Sequence, residues 1–156
     1  MAKENMWLKI GTLAFLAGIV IALCFGLYQA STLETLYNEQ QAYFEDPVNN
    51  PEPTTEIFFT TENGGAVVWV LAILGAIIGL LTVFGQSTIT SKEVPGYLFA
   101  GIALVIMGGV FSNLPYAMTP WIGSLLAGVS ISLSIFVAPT VGILAIFAIW
   151  NMGKDV

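Results

Sequence analysis

The stretch whose reading decides the fold is Pro120–Met152, PWIGSLLAGVSISLSIFVAPTVGILAIFAIWNM. It contains no Asp, Glu, Lys, Arg or His. A helix needs about 20 apolar residues to cross a hydrocarbon core about 30 Å thick. A straight helix over this whole stretch would measure about 50 Å at 1.5 Å per residue, too long for one upright crossing. Thr119 followed by Pro120 makes a good helix start, with a hydroxyl at the N-cap and a ring preset for the first helical position. Pro139 deletes one backbone hydrogen bond and is expected to kink the helix, which membrane helices tolerate. Two readings follow. In the first, Pro120 to about Gly128 forms an interfacial or re-entrant piece with Trp121 at headgroup level, and a span runs from Val129 to Met152. In the second, the stretch is a single strongly tilted helix. The broken form is the working expectation.

Three more apolar blocks precede it, Trp7–Ala30, Gly65–Gly85 and Gly96–Phe111. The chain of 156 residues is 56% hydrophobic and only 9% charged, against about 25% charged in a soluble domain. So little polar surface cannot cover a globule in water. The expected fold is an all-α integral membrane protein, a bundle of four transmembrane helices with one acidic extracellular loop between helices 1 and 2. The expected boundaries are residues 1–30 for the N-terminus and first span, 31–64 for the acidic segment and 65–85 for the second span. A cytoplasmic loop at 86–95 and the third span at 96–114 follow. The external turn and interfacial helix occupy 115–128, the fourth span 129–152 and the C-terminal tail 153–156. The first block has a short basic start like a secretory signal. It lacks the small-x-small cleavage pattern, because Tyr28 stands two residues before Ala30, and reads as a retained span.

Orientation follows from the cations. With four spans, Lys3, Lys9, Lys92 and Lys154 all fall on one side, as the positive-inside rule requires. Both termini are then cytoplasmic in a multi-pass protein of the cell membrane. The other side carries Ser31–Glu62, with seven carboxylates and no Lys or Arg. Within it Leu33, Leu36, Tyr37, Gln40, Tyr43 and Phe44 recur at helical spacing, so the first helix is expected to continue as an amphipathic stalk to about Phe44. Pro47, Pro51 and Pro53 end it. Ile57–Thr61, IFFTT, has strand-like composition, and Asn63-Gly64-Gly65 is a hinge into the second span.

Composition excludes several functions. The chain has no His and no Arg. The usual ligand for haem, copper or catalytic zinc is missing, as is the bidentate clamp for phosphate. A net charge of −6 without a basic patch argues against nucleic acid as a partner. Cys24 is the single cysteine and reads as a small buried hydrophobe. The spans carry no Asp, Glu, Lys or Arg away from their ends, which disfavours pumps and ion-coupled carriers. No nucleophile–base pair is apparent, so no enzyme and no cofactor are expected. EDPVNNPEPTTE lacks the spacing of a calcium loop, so a cation site there would be irregular.

Three constellations remain. Ala14, Gly18, Ala22 and Gly26 recur every four residues, Gly75 and Gly79 repeat the pattern, and Ser124, Gly128 and Ser132 do so again. Such stripes let helices approach closely, either within the bundle or against another subunit. Glu45, Asp46, Glu52 and Glu56 are candidates for contact with a cell-surface partner. Ser130 and Ser134 with Pro139 form a candidate pore lining or kink, or else buried hydroxyls bonded within the bundle. The expectation is a structural or accessory membrane protein, surrounded by lipid, that self-associates or joins a membrane-protein partner. A channel subunit with an oligomeric pore is the alternative.

The blocks MWLKIGTLAFLAGIVIAL, WVLAILGAIIGLL, LFAGIALVIMG and FVAPTVGILAIFAIW resemble a group of short, uncharacterised multi-pass membrane proteins of archaea. The resemblance covers the hydrophobic blocks, their order and the element Val137–Pro139, but not Ser31–Thr61. It implies an archaeal cell membrane and no particular activity. The four-span plan is also similar to that of tetraspanin-like proteins, without their extracellular cysteines.

Overall fold

The computed structural model describes residues 2–84, 94–113 and 121–154. Among them it is helical throughout its regular structure, with α1 at Ala2–Glu45, α2 at Glu62–Val83, α3 at Val94–Asn113 and α4 at Ile122–Met152, plus a short 3-10 turn at Phe58–Thr60. All four long helices are long and apolar enough to cross a membrane. Helices suit these sequences because each satisfies its own backbone hydrogen bonds, the condition for a single segment to enter lipid. The most apolar surface faces outward. Leu13, Trp69, Phe99 and Ile146 are each at least 70% exposed.

α4 is the hub. It packs along each of the other three helices, while α1 and α2 touch over a short stretch and α3 is held mainly by α4. Its buried positions explain how. Gly123, Ser124, Ala127, Gly128, Ser130, Ser132, Phe136, Val137, Thr140 and Leu144 turn to different neighbours around the helix. Phe136 is fully buried at the centre of a core with Ala22, Leu71, Ile78 and Val137. The Phe15 ring lies 6.0 Å from that of Phe136 and 6.1 Å from that of Tyr97, linking α1 and α3 to the hub.

Pairs of contacts set the directions. Along α1, Gly18 faces Phe136, Gly26 faces Gly128 and Val129, and Ser132 Oγ donates to the Ala22 carbonyl at 2.5 Å, so α1 and α4 are antiparallel. Gly75 faces Phe136 and Gly79 faces Thr140, so α2 runs parallel to α4. Gly101 faces Val137 and Val141 while Gly108 faces Ile131 and Ser134, so α3 is antiparallel. Successive helices alternate, and the N-terminal end of α1 lies at the same end of the bundle as the C-terminal end of α4.

Three expectations are corrected here. The break near Gly128 is absent, and α4 runs from Ile122 to Met152 as one helix straight through Pro139. At 1.5 Å per residue it is about 46 Å long. The interfacial piece at 120–128 is expected because the stretch is too long for one upright crossing. The first turns of α4 instead pack beside the extension of α1, which at 44 residues is longer still. The helix starts at Ile122 with Trp121 as N-cap, and Thr119-Pro120 lies outside the described residues. IFFTT is not extended; its centre closes into the 3-10 turn. Cys24 is exposed on the outer surface of α1, since an apolar sequence does not distinguish a core face from an outward one. α1 itself ends at Glu45, and the loop 86–95 lies mostly outside the described residues.

Candidate functional site

The acidic segment folds back along the extension of α1, and its polar groups are matched to particular partners. Asp46 ends the helix. Its Oδ1 accepts from the backbone N–H of Val48 at 3.2 Å and of Asn49 at 3.3 Å, and its Oδ2 accepts from Asn49 Nδ2 at 2.6 Å. Asn50 Nδ2 then donates to the carbonyls of Ala42 and Asp46, both at 3.0 Å, adding a second donor to acceptors at the end of the helix. The bond from Asn49's side chain is the main reason the Asp46 carboxyl sits below its ordinary value.

Glu39 fastens the returning strand of the loop. Its Oε1 accepts from Thr55 Oγ1 at 2.6 Å, and its Oε2 accepts from the N–H groups of Thr54 and Thr55 at 3.0 Å each. The Thr55 hydroxyl is the largest influence holding the Glu39 carboxyl below the usual range, since hydrogen bonds to a carboxylate favour its charged form. Glu39, Ala42, Asn50, Glu52 and Thr54 line a hollow of about 160 Å³ under this crossing.

Nearer the bundle, aromatic packing takes over. Phe58 stacks on Phe25 at 5.9 Å, meets Tyr28 edge-on at 4.8 Å and leans on Phe59 at 5.4 Å. Gln29, 1% exposed, accepts the Phe59 N–H at 3.2 Å through Oε1. Thr61 caps α2 by accepting from Gly64 N–H at 3.1 Å. Gly64 must lack a side chain, because a Cβ there would run into the Phe58 carbonyl.

Glu34 ties α1 to α4. Its Oε2 accepts from the Trp121 N–H at 3.0 Å and from Ser124 Oγ at 2.6 Å. Trp121 has no side-chain cap of its own, and its φ of 68° is the one positive value at a non-glycine among the described residues. A carboxylate from one helix thus satisfies one open N-terminal N–H and one hydroxyl at the start of another, and its charge complements the positive end of the α4 dipole.

The residues expected from the sequence fall into three groups. Ala14, Gly18, Ala22, Gly26, Gly75 and Gly79 lie on helices packed to α4, and all four glycines among them press directly against it. Gly26 and Gly128 approach backbone to backbone. Ser130 is buried and its carbonyl accepts from Ser134 Oγ at 2.7 Å, while Pro139 lies further along α4 and is half-buried. Of the acidic four, Asp46 is engaged in its turn and Glu45 accepts from Gln41 Nε2 at 3.1 Å, while Glu52 and Glu56 are exposed.

Glu34, Glu39 and Gln29 were not singled out from the sequence, although two signals existed. Glu34 extends the four-residue series Ala14, Gly18, Ala22, Gly26, Ala30, and Gln29 is a lone amide inside an apolar helix. Among the described residues no group of His, Cys, Asp and Glu is arranged to hold a metal. No family model matches this chain, and comparisons with curated proteins and with solved structures give no match.

Proposed function

We propose that this is an accessory, non-catalytic protein of the cell membrane, a four-helix pedestal that presents an acidic post to a partner outside the cell. The lysine distribution supports an orientation with both termini and Lys92 in the cytoplasm and the α1 extension outside. The observation that carries the reading is the built character of the segment. Asp46, Glu39 and Gln29 fasten the returning chain along α1, and Glu34 ties that extension to α4. A loop that served only to connect two spans would need none of this.

The bundle beneath is suited to support. Several of its hydroxyls bond within the bundle, Ser132 to the Ala22 carbonyl and Thr140 to that of Gly75 across helices, and Thr82 to that of Ile78 within α2. The small-residue stripes are used within the chain, so assembly with other subunits is proposed to rest chiefly on the post. Native membranes extracted directly into polymer-bounded discs provide the test. A particle heavier than one chain plus lipid is expected, with no ion flux in proteoliposomes of the pure protein. A solitary chain in native discs, or flux through the pure protein, refutes the reading.

A further inference from the structure

The two most exposed large hydrophobic side chains among the described residues are not on the bundle. They are Phe44, 79% exposed, and Val48, 91% exposed, at the far tip of the α1 extension. Phe44 stands ten residues beyond Glu34, about 15 Å farther along the helix. Val48 follows four residues later, across the turn closed by the backbone bonds Asp46 N–H to Ala42 O and Asn50 N–H to Asp46 O, each 3.1 Å. Lipid exposure explains the apolar surface of a span. It does not explain two nearly bare apolar side chains four residues apart at the tip of a post in water, carried on a turn that is held in place by hydrogen bonds.

Resting on the reading of this segment as external, we propose that Phe44 and Val48 are the anchors of a docking tip, inserting into an apolar pocket on a protein partner whose rim carries Lys or Arg. The turn is pre-organised for this. Asp46 fixes the backbone that bears Val48, and Glu39 clamps the returning chain, so little ordering is left to oppose binding. Apolar anchors within a polar surround are the usual arrangement of an interface hot spot.

Charge selects the partner's class. Glu45, Asp46 and Glu52 flank the anchors, and Ser31–Glu62 contains no cation. A second copy offers nothing complementary, because the chain's four lysines all lie outside this segment, on the opposite side in the proposed orientation. An anionic lipid surface would be repelled by the same carboxylates.

The test uses the full chain in nanodiscs and three probes: an amphipathic peptide of Leu and Lys, an oligolysine of equal charge, and protein-free vesicles with and without anionic lipid. The Leu–Lys peptide should bind more tightly than oligolysine. The double variant Phe44→Ser/Val48→Ser should weaken it at least about tenfold while leaving oligolysine unaffected. Glu45→Gln/Glu52→Gln should weaken both peptides and flatten their salt dependence. Equal binding of both peptides, unchanged in the double variant, overturns the anchor proposal but leaves an acidic contact intact. Absence of binding by either peptide at low salt overturns both readings. Vesicle docking that depends on Phe44 and Val48 overturns the protein partner in favour of a membrane.

Discussion

Gly128→Ala and Gly142→Ala place the same methyl group on the same helix, and the structure requires opposite results. A Cβ at Gly128 would collide with the Gly26 carbonyl and the backbone of Ala30, whereas nothing lies within 4 Å of a Cβ at Gly142. Both changes gain helix propensity, about 1 kcal/mol. For Gly142→Ala that gain is unopposed. At Gly128 the obstacle is backbone, which cannot swing aside, so overpacking costs about 1–3 kcal/mol. Separating the helices also stretches the Ser132–Ala22 bond one turn below, worth about 0.6 kcal/mol in a membrane helix pair. The two variants should differ by about 2–3 kcal/mol, with Gly142→Ala the more stable. Unfolding in mixed micelles of rising SDS fraction, followed by energy transfer between α1 and α4, measures the difference. Equal stability, or a more stable Gly128→Ala, would refute this α1–α4 crossing and return the α1 stripe to the pool of free surfaces.

Two further outcomes are expected from the polar fastenings. Glu34→Ala removes the acceptor for Trp121 and Ser124 and should cost about 1 kcal/mol, the usual worth of an N-cap; faster amide exchange confined to the first turn of α4 is the readout, and unchanged protection there would contradict the cap. Glu39 and Asp46 both have carboxyls held below their ordinary values, so the folded loop binds protons less readily than the open one. Their stabilisation is complete above the ordinary carboxylate range, about pH 4, and is lost as pH falls through the lowered values. Exchange at Thr54 and Thr55, corrected for intrinsic rate, should rise on acidification and stay normal in alkali; the opposite trend would show that the carboxylates do not hold the loop.

The four helices were legible because each apolar block is long enough to demand one, and the end of α1 near Phe44 was legible from the periodicity of its stalk. The hub was not. Ser124, Gly128, Ser130, Ser132 and Thr140 mark α4 as unusually small and polar for a span, yet only the contacts of three helices at once reveal that this feeds several interfaces. The expected break at Gly128 failed for a related reason. Length was compared with the bilayer rather than with α1, whose extension runs beside the excess.

In the acidic segment, composition showed a collective charge but not the division of labour within it. Glu34 and Glu39 each meet partners remote in sequence, Ser124 and Thr55. Such pairings depend on where the chain returns, which local pattern does not encode. The strand-like composition of IFFTT had no neighbouring strand to pair with, and its phenylalanines found Phe25 and Tyr28 instead. Cys24 shows the converse limit: hydrophobicity alone does not assign a side in a helix that is apolar all round.

The central place of α4 has a consequence for how the molecule is born. It is the last of the four helices to be synthesised, and the other three share few contacts without it. Until α4 follows, Gly18, Gly26, Gly75, Gly79 and Gly101 lack the neighbours they face in the finished bundle, and the grooves they form stand open. Consolidation is therefore a late, single event that brings together residues far apart in the chain, the slow kind of assembly. During that interval the seat that its final helix will take has to be covered by something other than the chain's own packing.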